Sequence, residues 1–416
     1  MLTAARGRPT LVAQAINAAG ALLLIALLTR QLSAGAFGTY AAVFATYALG
    51  NALVATTIGT RIIEAASSGR TSRIELVGGR DVPAFLFCAA VAAVVAYSVD
   101  ARASVAAWAA VGMLGILMAE VGNSLLLGLQ RYWLFCGAVL LRITLWVSGA
   151  ATLLLLLDPD HRLAAALAMS GASALPLLAY LVISRRVRIV GARSATPRGA
   201  VSAVGLANLA LWFLASADRV ILSHYALAAL ATYAATYGLL DRVFRGLANA
   251  DVQARLPAAF AGRPAGDGVP DRLSPPALVA LVSLGAIFAV TSPYLIELIS
   301  GGRYQPSFAM SAALSAAMVA MVAAMPSFVA LIVLGRARVA AAVAGLAASV
   351  NVVGNLLLVP YFDTAAATAL TLGGYLIWLI GARIAVNRCK RLDVRLESPP
   401  SETRRQVDDE LLEAQL

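Results

Sequence analysis

Charge is scarce in this chain, which has 13% charged residues against 61% hydrophobic, and lysine is almost missing: Lys390 is the sole lysine among 32 basic residues. A soluble domain of this length could not hide so much apolar surface, so a water-soluble enzyme or binding module is excluded. Cysteine is nearly as rare. Cys88 and Cys136 fall in apolar segments and Cys389 in a polar stretch near the end, so a disulfide framework is not expected. Only two histidines occur, His161 and His224, and neither has a Cys, His or carboxylate cluster at metal-ligand spacing. No metal and no cofactor are expected.

What fills the chain instead is apolar sequence in lengths that match a bilayer core, about 20 helical residues per crossing. Twelve segments qualify: 11–28, 36–58, 82–98, 104–127, 133–157, 163–183, 200–223, 229–250, 275–299, 307–334, 339–359 and 365–386. An all-α polytopic membrane protein of about twelve transmembrane helices follows. Arg6 and Arg8 before the first apolar run resemble a signal peptide, but the run from Leu11 to Leu28 is long for a signal core, so it is read as a retained span.

The formal charge of +11 raises nucleic acid as a partner, and the placement of the cations argues against it. With the amino terminus inside, most Lys and Arg residues fall on the cytoplasmic side, as the positive-inside rule requires, and both termini are then cytoplasmic. The densest stretches are Arg185 to Arg198 and the tail from Arg383 to Arg405. They are read as topology determinants and contacts for anionic membrane lipids, which places a multi-pass protein in the cell inner (plasma) membrane.

A basic linker at 184–199 divides the spans into two six-helix halves, 1–183 and 200–386, followed by a polar tail at 387–416 expected to be disordered. Thr39-Tyr40-Ala41-Ala42 opens the second span and Thr232-Tyr233-Ala234-Ala235 the eighth. Leu127-Gly128-x-x-Arg131 and Leu334-Gly335-x-x-Arg338 also occupy equivalent connectors. Equal helix number, orientation and placement of these echoes predict a parallel repeat, an architecture that transporters use to hold substrate between halves. The external connectors are short, and none can carry the catalytic loop of a membrane glycosyltransferase or polymerase. The chain is read as a transporter and not as an enzyme.

Ionisable residues inside spans are costly and mark function by default. Glu120 lies about eleven residues before the connector near Arg131 and Arg142 about eleven after it, so both sit roughly 16 Å deep at 1.5 Å per residue. They are expected to face each other across the hairpin of spans four and five, either as a neutralising pair or with Arg142 lining a cavity that meets an anion. Asp218 and Arg219 sit inside the outer end of span seven: Arg219 is a candidate anion ligand and Asp218 a candidate for proton or sodium coupling. Arg30 stands at the outer end of span one as an interfacial anchor or cavity cation. Asp241, Arg242 and Arg245 are expected to lie beyond the point where span eight leaves the hydrocarbon. Asn351 and Asn355, four apart, share a helical face suited to interhelical hydrogen bonding. Pro293 and Pro326 are candidate kinks.

The segment Leu28-Thr29-Arg30-Gln31-Leu32-Ser33-Ala34-Gly35-Ala36-Phe37-Gly38-Thr39-Tyr40 resembles the first connector of bacterial polysaccharide flippases in the multidrug/oligosaccharidyl-lipid/polysaccharide superfamily. Ala217-Asp218-Arg219-Val220-Ile221-Leu222 is similar to that family's seventh helix, and Ile296 to Tyr304 to its ninth-to-tenth connector. Asn355 to Pro360 followed by Ala365-Ala366-Ala367-Thr368 resembles its eleventh-to-twelfth connector. The resemblance implies translocation of a polyprenyl-pyrophosphate-linked oligosaccharide by alternating access, for polysaccharide biosynthesis. It carries over Arg30 and Arg219, whereas Glu120 and Arg142 rest on depth alone. Two rivals stand beside this reading: a cation-coupled drug or metabolite exporter of the same superfamily, which an acidic or aromatic cavity would favour, and a membrane glycosyltransferase or polymerase.

Overall fold

The computed structural model describes residues 2–67, 81–176, 198–260 and 271–397. Most of the basic linker at 184–199, the end of the sixth predicted span and the tail beyond Glu397 lie outside them. The helices are α1 (Leu2–Gln31), α2 (Ala34–Gly50), α3 (Thr56–Ser67), α4 (Val82–Asp100), α5 (Ala103–Gly128), α6 (Tyr132–Leu156) and α7 (Pro159–Gly171). After the linker come α8 (Arg198–Tyr225), α9 (Leu227–Phe260), α10 (Pro275–Ser300), α11 (Phe308–Val333) and α12 (Ala337–Glu397). Among the described residues there is no strand. A bilayer explains that: with no water to satisfy the backbone, each crossing must bond internally.

Nine described stretches are long and apolar enough to cross a membrane, and this is an all-α, multi-pass membrane protein. The predicted spans one to five, seven, nine and ten each coincide with one of the nine. Predicted spans eleven and twelve are both contained in α12, whose helical dihedrals break only at Asp363 (φ 47°, ψ −129°). The two arms fold back on each other there. Gly354 faces Leu370, Gly374 faces Asn351 and Ala347, and Gly381 faces Val343, pairings symmetric about the break. The remaining two predicted spans are not in that set. α7 is short within the described residues, and α9, although 34 residues long, carries Asp241, Arg242 and Arg245.

α2 and α3 are one crossing from Ala34 to Ile63, joined by a π-helical turn at Asn51–Ala55. π-turns insert an extra residue into the helical ladder and are frequent at functional sites. α10 and α11 continue through Pro293 and Pro326. α5 and α7 approach backbone to backbone, since a Cβ at Gly115 would strike Gly171. Such contact between small residues is how helices associate when lipid supplies no hydrophobic contrast. The largest fully buried side chains include Tyr47, Tyr233, Tyr237, Tyr375 and Trp378, whereas Leu86, Phe87, Leu156, Val279 and Leu357 are exposed, as a lipid-facing belt requires.

The ends of the bundle are held by ionic and polar contacts. At the end carrying the amino terminus, Lys390 pairs with Asp271 at 3.0 Å and Arg272 donates to Asn387 at 3.2 Å. At the opposite end, arginines reach the unpaired carbonyls of helix C-termini. Arg30, at the end of α1, donates to Leu298 and Ile299 at the end of α10 (2.9 and 2.8 Å). Arg303, just beyond α10, donates back to Thr29 and Leu32 (3.4 and 3.3 Å). Arg162 bridges Gln31 and Leu157 in the same way.

Candidate functional site

One cavity opens in the middle of the bundle between α1, α2, α6, α8 and α9. Its cavity volume is ≈ 80 Å³. α9 presents Ala234, Gly238, Asp241 and Arg242 to it, a spacing of four, three and one that keeps them on one helical face. Gly238 packs closely on α1: a Cβ there would sit 3.2 Å from Ile25 Cδ1. α2 contributes Phe37, Tyr40, Ala41 and Phe44; α6 contributes Ile143 and Trp146; α1 contributes Asn17 and an apolar strip; α8 contributes Arg219. Arg242 lies fifteen residues into α9, about 22 Å from its beginning, on the inner side of the middle of a core about 30 Å thick.

The charges here are unequally satisfied. Asp241 is held by Arg245 in the next turn (2.7 Å). Arg242 makes no hydrogen bond or ion pair with another described residue, and its guanidinium lies 5.1 Å from the centre of the Phe44 ring. Arg219 donates to Ala215 O and Ser216 Oγ (2.9 and 2.8 Å) and stands 4.7 Å over Tyr237, while its Nε finds no partner. The cavity therefore exposes two guanidiniums and one carboxylate, and the carboxylate is already paired.

Behind Arg219 lies a closed polar cluster. Asp218 is fully buried and accepts hydrogen bonds from the Tyr233 hydroxyl, from Thr371 Oγ1 (3.1 Å) and from the Arg219 N–H (2.7 Å). Its nearest guanidinium nitrogen, Arg219 Nε, is 4.0 Å away.

The sequence-predicted residues are thus distributed unevenly. Arg142 and Glu120 meet, with Nη1 to Oε1 at 3.1 Å, and Arg142 Nη2 also donates to Asn17 Oδ1 at 2.9 Å. Arg142 is not itself on the cavity wall and touches it through Asn17. Arg219 lines the cavity. Arg30 does not: it is an exposed cap on α10, because the end of α1 lies against the end of α10, so the cavity role expected for it is corrected. Asn355 donates to Asn351 of its own helix (2.8 Å to O, 3.2 Å to Oδ1), so the interhelical bond expected of this pair is replaced by an intrahelical one. Arg61 pairs with Asp81 at 2.6 Å.

Arg242 and Asp241 are what sequence reasoning missed. They were expected where span eight leaves the hydrocarbon, and α9, which continues unbroken to Phe260, carries them on the cavity wall. The available signal was their placement with Ala234 and Gly238 on one face, small residues that leave room beside a charge.

A bundle of apolar helices around a charged interior cavity defines the class: a polytopic membrane protein. No family model and no curated protein matches the sequence. Solved structures do. A MOP superfamily transporter from Pyrococcus furiosus matches over 95% of this chain and 96% of its own, with TM-score 0.57 and 14% identity. An inward-facing multidrug resistance MATE family transporter of the MOP superfamily matches over 92% and 99%, with TM-score 0.54 and 13% identity. A MATE transporter from Vibrio cholerae matches over 94% and 96%, with TM-score 0.53 and 14% identity. The chain has the fold of the MOP superfamily transporters along nearly its whole length.

Proposed function

We propose that this protein translocates an anionic lipid-linked oligosaccharide across the cell inner membrane by alternating access. The observation that carries the reading is Arg242, a guanidinium on the cavity wall that is hydrogen-bonded to no carboxylate among the described residues, its neighbour Asp241 being bonded to Arg245. An arginine at the centre of a crossing costs at least about 2.5 kcal/mol. A substrate anion offsets that cost when bound, and the planar fork of arginine suits phosphate oxygens. Arg219 adds a second positive group on the facing helix. Arg142 acts through Asn17, Glu120 balances Arg142, and Asp218 is the coupling carboxylate for H+ or Na+. Basic residues on the amino-terminal side hold that end at the cytoplasmic leaflet through anionic membrane lipids.

A second reading has its own support. Solved structures sharing the fold include multidrug resistance transporters, and Phe37, Tyr40, Phe44 and Trp146 give the cavity an aromatic wall. A cation-coupled exporter of drugs or metabolites would use both that wall and Asp218. The unpaired guanidinium favours the anion. The Pyrococcus furiosus neighbour is described as having a pocket of reverse polarity that suggests a different function, so polarity is a property by which members of this fold differ.

The test is the amount and leaflet location of polyprenyl-linked oligosaccharide in cells depleted of the protein, measured by lipid extraction, mass spectrometry and a membrane-impermeant probe. Accumulation in the inner leaflet is expected. Unchanged lipid-linked glycan with altered drug sensitivity would overturn the flippase in favour of the exporter.

A further inference from the structure

Three rings line one wall of the cavity in sequence. Tyr40 and Phe44 stack at 5.9 Å between centroids with planes 20° apart, and Phe44 and Trp146 at 6.0 Å and 28°. Arg242 stands over the middle ring. Trp146 Nε1 is buried and has no hydrogen-bond partner among the described residues, while the buried hydroxyls of Tyr40 and Ser170 lie beside each other and meet no third group. Tyr40 is 6%, Trp146 8% and Ser170 0% exposed.

Buried hydroxyl and indole groups are almost always paired, and one left unpaired costs about 1–3 kcal/mol. An unpaired indole N–H and a phenol hydroxyl shared only with Ser170, both on an aromatic wall, fit a ligand that is both flat-faced and hydroxylated. An aromatic drug would cover the rings and leave the indole N–H unsatisfied, whereas a simple phosphate would pair with Arg242 and leave the rings bare. A sugar ring does both: its C–H face rests on the negative faces of the aromatic rings, and its oxygens reach the donors at its edge. Trp146 can only donate, so it requires an acceptor oxygen, and Tyr40 and Ser170 can take either role.

We infer that the Tyr40–Phe44–Trp146 wall, with Ser170 behind it, is a sugar subsite that receives a glycosyl ring whose anionic substituent is held by Arg242. The inference rests on the anion-translocation reading and names the ring next to the anion as the recognised group. It makes Tyr40 and Trp146 the residues that tell a glycosyl phosphate from other phosphates, with Ser170, fully buried, acting through the Tyr40 hydroxyl.

The full-length protein in lipid nanodiscs separates the two readings by equilibrium dialysis with glucose 1-phosphate and with glycerol 3-phosphate, which carries the same charge without a ring. Two recovered hydrogen bonds correspond to a preference for glucose 1-phosphate of about 10-fold or more. Tyr40→Phe combined with Ser170→Ala should bring glucose 1-phosphate down to the level of glycerol 3-phosphate, and retained glycerol 3-phosphate binding reports that this variant is folded. Arg242→Gln should weaken both. Equal affinity of the native protein for the two phosphates would overturn the sugar subsite and leave the anion reading standing, as expected if water pairs with these atoms. A preference that survives in the double variant would overturn the assignment to Tyr40 and Ser170. Binding of neither phosphate would overturn the anion reading itself.

Discussion

Arg142 and Glu120 form a charge pair in the membrane interior, with the guanidinium bonded also to Asn17 and the carboxylate to Asn123 (3.3 Å). Removing one partner of such a pair strands the other, at a cost of about 3 kcal/mol, whereas removing both costs less. Arg142→Ala should therefore lower the thermal unfolding temperature of the purified protein more than Glu120→Ala/Arg142→Ala does. If the double variant also transports, the pair is structural; if it is stable but inactive, Arg142 serves the substrate through Asn17. Asp218 differs in kind, since its three donors are neutral or backbone groups. Asp218→Asn keeps the shape and removes the charge, and the expected outcome is retained ligand binding with loss of gradient-driven transport in proteoliposomes. Unchanged uptake under an imposed proton or sodium gradient would remove Asp218 from coupling.

Single elements show which features could be read in advance. The crossings were legible because bilayer insertion depends on the summed hydropathy of about 20 neighbouring residues, a local quantity. The hairpin inside α12 was legible as two predicted spans separated near Tyr361 to Thr364, although its turn rests on one residue. Asp363 adopts a positive φ, which glycine tolerates and other residues adopt at about 1 kcal/mol. Asp363→Gly should raise stability by about that amount in thermal unfolding, and a loss would show that the Asp363 side chain contributes to the turn. Where helices α1 and α10 end, Arg30 and Arg303 cap each other's helix with reciprocal hydrogen bonds. Under the proposed alternating access, an outward-open state must separate these ends. Arg30→Gln with Arg303→Gln should increase labelling of an Ala41→Cys reporter by an impermeant maleimide added outside, with the native cysteines replaced. Unchanged labelling would show that the clasp does not control opening.

Across the whole molecule, the twelve-span reading and the MOP-type fold agree, and the parallel repeat stands as a proposal alongside the topology that puts both termini in the cytoplasm. Function divides between scales. The arrangement of the bundle is shared with transporters at 13–14% identity, so it says little about cargo, while the cavity that would select a cargo is made of a few side chains contributed by five helices. Tyr40 and Tyr233, equivalent positions of one sequence echo, both turn inward, one towards the cavity and one onto Asp218.

By itself the sequence determined that the chain is a helical membrane protein, where most helices cross, and that Glu120 and Arg142 lie at equal depth. Each follows from spacing along one chain and from the cost of exposing polar backbone or charge to hydrocarbon. Only the tertiary structure decided that Arg242 faces the cavity unpaired, that Arg30 caps α10 and that Tyr40, Phe44 and Trp146 form one wall. Those outcomes depend on how each helix is rotated and which neighbour it meets. Packing sets both, through contacts such as Gly238 against Ile25 that join residues more than two hundred positions apart.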